Sequence, residues 1–117
     1  MALTDEMIKI AKKIKPDFIC LVPEKRNEIT TEGGLNLEKI SIKKLNLLLS
    51  ICSSNNIQLS AFINPKKKII DIAQRLGFHA VELHTGPLDK DKVNKIDIKK
   101  INEMINYSYK KNLIVNI

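Results

Sequence analysis

Residues 57–84, IQLSAFINPKKKIIDIAQRLGFHAVELH, decide the fold. The stretch opens with a strict alternation. Ile57, Leu59, Ala61 and Ile63 fall on one side of an extended chain, and Gln58, Ser60 and Phe62 fall on the other. Asn64-Pro65 forms a good N-cap and N1 pair for a helix carrying Ile69, Ile72, Ala73 and Leu76, which Gly77 ends. Residues 80–84 (AVELH) alternate again, with Val81 and Leu83 opposed to Glu82 and His84. Two strands joined through a helix in this way run parallel, so the stretch is a βαβ unit.

The same rhythm continues outward on both sides. Residues 4–15 place Met7, Ile8, Ala11 and Ile14 on one helical face, with Thr4 as N-cap and Pro16 as the stop. Residues 18–22 (FICLV) form a short continuous apolar run, followed by the polar loop PEKRNEITTEGG at 23–34. Residues 37–54 repeat the helical period through Leu45, Leu48, Leu49 and Cys52. Downstream, the loop TGPLDKDKVNK at 85–95 leads into a helix marked by Ile98, Ile101, Ile105 and Ser108, then a strand at 113–117 (LIVNI). This αβαβαβαβ order predicts an α/β fold with right-handed crossovers. The expected domain is single, residues 1–117. It opens on a helix and stops inside a strand, as the central part of a larger barrel, incomplete at both ends, would.

A parallel sheet covered on both faces reads as unbroken apolar runs. The first strand obeys this, but the other three alternate. A doubly wound sheet would bury Glu82 under helices. A barrel instead lets one face meet the helices while its lumen holds polar side chains near the catalytic mouth. The expected fold is therefore a parallel (β/α)8 TIM-barrel type, here a partial barrel of about four βα units. An ionised Glu82 in such a lumen needs a cation, hydrogen-bond donors or a ligand. Two readings of it stand: an ion pair with Lys or Arg from another strand, or a role in binding and charge stabilisation. His84, nearer the mouth, is either a substrate contact or a satisfied lumen histidine. In the loop, Gly33-Gly34 can act as a hinge, and Thr30 and Thr31 offer hydroxyls. The pattern is too irregular for a Walker loop or a dinucleotide fingerprint. By its residues alone it is a mobile βα loop.

Composition narrows the function classes. Apolar residues make up 44% of the 117, enough for a packed core, and with aromatics at 4% that core must be aliphatic. The formal charge of +7 admits nucleic acid, anionic membranes or phosphorylated substrates as partners. The positive residues are mostly Lys on helical patterns, with Arg only at Arg26 and Arg75, which favours solvated helix faces over a nucleic-acid surface. A basic nucleic-acid-binding module stays as the alternative; it lacks interleaved aromatics and would show salt-dependent retention on DNA or RNA. Cys20 and Cys52 are not in CxxC spacing and read as buried reduced thiols. No apolar run approaches a membrane span, and residues 1–13 lack a signal-peptide core, so the expected location is the cytoplasm.

Two blocks carry a resemblance. CLVPEKRNEITTEGGLN at 20–36 closely resembles the C-L-V-P-E-K-R-x-E-x-T-T-E-G-G-L-[DN] signature of the pyridoxine 5′-phosphate synthase family. VELHTG at 81–86 resembles that family's [IV]-E-[IL]-H-T-G block, and the intervening IQLSAFIN looks like its V-S-L-F-I-D strand. LIVNI resembles the strand before the family's A-G-H-G-L segment, and MALTDEMIKIA the helix after its third strand, so the likeness covers essentially the whole chain.

The resemblance implies a (β/α)8 barrel that assembles as a homo-octamer in the cytoplasm. It also implies a condensation of 3-amino-2-oxopropyl phosphate with 1-deoxy-D-xylulose 5-phosphate, giving pyridoxine 5′-phosphate, phosphate and water. The resemblance implies no metal or organic cofactor, and neither nucleic acid nor a membrane is an expected partner. By motif, Thr30 matches the threonine that binds the deoxyxylulose phosphate, and Glu82 the glutamate that stabilises charged intermediates. Glu32 and His84 match positions on the substrate side, while Glu24, Lys25 and Arg26 organise the loop base or take part in catalysis. The family's third-strand glutamate base would sit before Met1, and its A-G-H-G-L histidine acid after Ile117. The expectation is a truncated or partial synthase that is inactive alone. An inactive barrel remnant is the further alternative.

Overall fold

The structure, a computed structural model, describes residues 1–85 and 95–116. Most of the expected loop at 85–95, Gly86 of the second block, and Ile117 lie outside the described residues.

Four parallel strands alternate with four helices: α1 (Asp5–Ile14), β1 (Phe18–Leu21), α2 (Ile42–Asn55), β2 (Gln58–Ile63), α3 (Lys67–Leu76), β3 (Ala80–Leu83), α4 (Lys95–Lys110) and β4 (Ile114–Asn116). The strands lie side by side in chain order, β1-β2-β3-β4. That order decides the architecture. Right-handed crossovers that always step in one direction put every helix on one face of the sheet. A doubly wound sheet would reverse its strand order. This sheet is therefore part of a TIM-barrel wall, as expected from the polar strand face.

The register sorts the side chains into two sets. Leu21, Ala61, Val81 and Val115 are partners across the four strands. Together with Leu59, Ile63 and Leu83 they face the helices, and Leu21, Leu59, Ala61, Ile63, Val81 and Leu83 are all almost fully buried. The other set is Cys20, Ser60, Ala80 and Ile114 in one row and Phe62, Glu82 and Asn116 in the next. Among the described residues no helix covers this second face. Phe18 on it is 71% exposed, although the FICLV run reads as buried on both sides. A run of four apolar residues cannot say which face is covered; only the crossovers do.

The helices form where capping and periodicity indicate, with instructive shifts. Thr4 caps α1 by accepting the N–H of Met7 at 3.2 Å, and Lys15 closes the helix in a left-handed conformation just before Pro16. Ile8 and Ala11 of α1 are buried, whereas Ile14 is 67% exposed beside the outer edge of β1. The expected helix at 37–54 is broken. A 3-10 turn, Leu37–Lys39, precedes α2, whose N-cap is Ser41, accepting from the N–H of Lys44. In α3 the fully buried residues are Ile70 and Ala73, while Ile69 and Ile72 are partly buried beside them. Gly77 ends α3 at φ +97, as expected, and packs on Leu49 of α2. In α4, Ile98 is half exposed and Ser108 is fully buried, its hydroxyl donating to the Met104 carbonyl at 2.8 Å. The outer edge of β1 is not bare: Met1 donates its amino group to the Cys20 carbonyl and accepts from the N–H of Val22.

Among the described residues no helix is long and apolar enough to cross a membrane.

Candidate active site

The strand C-termini all point to one end of the sheet, and the loop after β1 folds over that end. Its base is built by Glu28, whose carboxylate accepts the backbone N–H groups of Glu24 at 2.8 Å and Lys25 at 3.2 Å. Those bonds, the one from Glu24 first, hold the Glu28 carboxyl below its ordinary range. The side chains of Glu24, Lys25 and Arg26 are exposed, so the loop base rests on their backbone and on Glu28. Ile29 and Leu35 form an isolated antiparallel bridge, and within it the chain turns tightly through Thr30 and Gly34.

Docking of this turn onto the sheet explains the paired glycines. Leu35 donates its N–H to the Phe62 carbonyl at 2.8 Å, which sews the loop onto the end of β2. A Cβ on Gly34 would stand 2.7 Å from the Asn64 backbone nitrogen, and one on Gly33 2.6 Å from Nε2 of His84. Gly33 also has φ +106, a conformation in which side chains are strained. Read from sequence as a hinge, the pair is needed here for close approach.

Asn64 is the residue that sequence reasoning assigned to the wrong task. It does not cap α3, whose N-cap is Lys66. It is 4% exposed, and its Oδ1 accepts the Gly34 N–H at 3.0 Å while its Nδ2 donates to Thr30 Oγ1 at 2.5 Å. A buried amide must satisfy both ends, and the nearest unmet groups are in the loop rather than at the helix start. Glu32 reaches Lys66 as an ion pair across the same rim, both side chains being exposed. The mouth thus brings together Thr30, Glu32, Gly33 and His84. The His84 ring tilts against Phe62 with centroids 4.9 Å apart.

Glu82 lies deeper. It precedes His84 by two residues on the same face, roughly 6–7 Å down the strand. It lines a recess of about 460 Å³ on the uncovered face, with Phe18, Cys20, Gln58, Ser60 and Asn116. Its Oε2 accepts the Cys20 thiol at 3.2 Å. Among the described residues no Lys or Arg forms an ion pair with it, so the structural ion-pair reading finds no partner here. Cys20, taken from sequence as an inert buried thiol, is half-buried beside this carboxylate. Burial is the main cause that pushes its thiol up, Ser60 opposes the rise and Glu82 adds to it. The signal for Cys20 existed in the sequence: as a neighbour in register with Ser60 it shares the polar face, but that register is not local.

The arrangement can hold an anionic or carbonyl-bearing ligand between a hydroxyl-bearing rim and a carboxylate at depth. A family model described as "Pyridoxal phosphate biosynthesis protein PdxJ" matches residues 1–117. The chain belongs to the PdxJ family. The chain is 44% identical to pyridoxine 5′-phosphate synthase of Prochlorococcus marinus (strain MIT 9515), over 99% of this chain and 49% of the relative. It is 42% identical to that of Aliivibrio fischeri, with the same coverages, and 46% identical to that of Pelagibacter ubique, over 89% of this chain and 46% of the relative. This PdxJ chain therefore spans about half the length of the curated relatives it matches. In fold it is similar to a crystal structure of D-psicose 3-epimerase in the presence of D-fructose, at a TM-score of 0.57 and 14% identity, covering 97% of this chain and 47% of that one. At that identity the likeness concerns the fold alone.

Proposed function

We propose that this chain is a single domain forming the central part of a pyridoxine 5′-phosphate synthase barrel. The reaction is the condensation of 3-amino-2-oxopropyl phosphate with 1-deoxy-D-xylulose 5-phosphate to pyridoxine 5′-phosphate, phosphate and water. The observation that carries this is the placement of Glu82: a carboxylate without a cationic partner among the described residues, in a recess on the sheet face that the helices leave open. Schiff-base formation and dehydration develop positive charge on nitrogen, and a fixed carboxylate at that depth stabilises it in the transition state. Thr30, on the rim, donates to the phosphate of the deoxyxylulose substrate. Glu32 and His84 complete the substrate side of the mouth, with the Glu32–Lys66 pair keeping a cation there. The reading carries with it a cytoplasmic, octameric, transferase-type enzyme that needs no metal or organic cofactor, and a 117-residue chain that is inactive alone.

The test is Glu82→Gln in a polypeptide of the relatives' full length. Turnover falls about 100-fold or more, the scale seen when one charge-stabilising group is removed, and the urea midpoint stays near native. Native turnover in that variant would take Glu82 out of the mechanism. Incubating the 117-residue chain itself with both phosphorylated substrates gives no product. A fully active enzyme with an intact mass of 13.3 kDa would contradict that part of the reading.

A further inference from the structure

We infer that Cys20 is a positioning residue for Glu82: its thiol holds one carboxylate oxygen and thereby presents the other, Oε1, to the ligand in the recess. The inference rests on the reading of Glu82 given above and adds what aims the carboxylate. A glutamate side chain turns about its own torsions, so a carboxylate that must meet one developing charge needs an anchor. Among the described residues the Cys20 thiol, 3.2 Å from Oε2, is the one hydrogen-bond donor on Glu82.

The contact is built into the wall. Register pairs Cys20 with Ser60 and Ser60 with Ala80, so Glu82 lies two residues further along and two strands away. An offset of about one residue per strand is the stagger of an eight-stranded parallel barrel, whose lumen layers draw side chains from alternate strands. Cys20 on β1 and Glu82 on β3 therefore belong to one layer. The thiol proton has one good acceptor: the Leu21 carbonyl is 3.9 Å from Sγ, and the carboxylate is both nearer and charged. Burial is the main cause that pushes the thiol up, which keeps Cys20 protonated in the neutral range and able to donate. A neutral donor suits the task. A cation there would offset the charge that a developing positive nitrogen requires, whereas a thiol fixes the carboxylate and leaves its charge unpaired.

The test is steady-state kinetics with both phosphorylated substrates, in the polypeptide of the relatives' full length used above for Glu82→Gln. Cys20→Ala lowers kcat about tenfold, the scale of one hydrogen bond to a charged group, and leaves both KM values within twofold. Cys20→Ser keeps a donor at the same place and stays within threefold of native kcat. Added to Glu82→Gln, Cys20→Ala changes kcat by less than twofold, because the group it aims is already gone. An equal fall in both backgrounds, a fall confined to KM, or a serine variant as slow as the alanine one overturns the inference. Native kcat in Cys20→Ala beside a slow Glu82→Gln also overturns it and leaves the function reading standing, whereas native turnover in Glu82→Gln overturns both. Should Cys20→Ala not fold, Cys20→Val, which fills the site without a donor and suits a strand, replaces it under the same criteria.

Discussion

The two faces of one sheet were built under different constraints. On the helix-covered face, Leu21, Leu59, Ala61, Ile63, Val81 and Leu83 are interchangeable in kind: each removes apolar surface from water and none needs a particular partner. On the open face, Cys20, Ser60, Glu82 and Asn116 sit at matching register but are chemically distinct. The first face accounts for stability. The second presents polar groups in a defined register. At the mouth the two meet, because the 30–34 turn has to dock on the sheet end through bonds as specific as those of a site.

The sharpest way to break this contrast is to cut both faces of the same strand. Leu59→Ala, on the covered face, should cost about 2–5 kcal/mol by the loss of buried methyl groups and the cavity left behind. Ser60→Ala, one residue on, should stay within about 1 kcal/mol of native. Urea denaturation of both variants measures the pair, and comparable losses would mean that the open face is structural after all.

Gly34→Ala tests whether the mouth behaves like a core. Its new Cβ would meet the Asn64 backbone nitrogen at 2.7 Å, so the turn must lift, at a cost of about 1–3 kcal/mol. Hydrogen exchange at Leu35, whose N–H bonds the Phe62 carbonyl, should accelerate before any other strand-end amide does.

A third test separates the two cysteines. In Glu82→Gln the carboxylate that helps push up the Cys20 thiol is gone, so alkylation of Cys20 by iodoacetamide at pH 8 should quicken several-fold. Cys52, raised by burial alone on the covered side, should keep its rate and serves as the internal reference. Equal acceleration at both would point to general loosening instead.

The smallest effect is a pH dependence confined to the loop. The folded state holds the Glu28 carboxyl below its ordinary value of 4.5. A depressed carboxyl contributes stability above the unfolded value and loses it as pH falls through the lower folded value. Protection factors at Glu24 and Lys25 should therefore drop in acid below about pH 4.5 while those of β2 hold. Because the Glu28 hydrogen bonds lie at the surface, the change in global stability should be slight.

Much of the architecture is legible in the chain because it depends on local periods. The alternation in IQLSAFI and AVELH predicts both the strands and their one polar face, and Gly77 and Thr4 mark helix ends where the structure has them. Glu82, His84, Thr30 and Glu32 are all recognisable as candidates, and three of these gather at or near the mouth. Their roles are proposals that the experiments above address.

What the linear pattern could not supply is the identity of partners far apart in sequence. Asn64 next to Pro65 reads as a helix cap because capping is a local habit, yet tertiary docking offers it a buried N–H and a half-buried hydroxyl 30 and 34 residues away. Cys20 meets Glu82 across 62 residues only because β1, β2 and β3 lie in chain order at one register. Periodicity in the sequence determined which residues share a face. The crossover direction and strand register, which are properties of the packed sheet, decided what covers that face and which side chains touch on it.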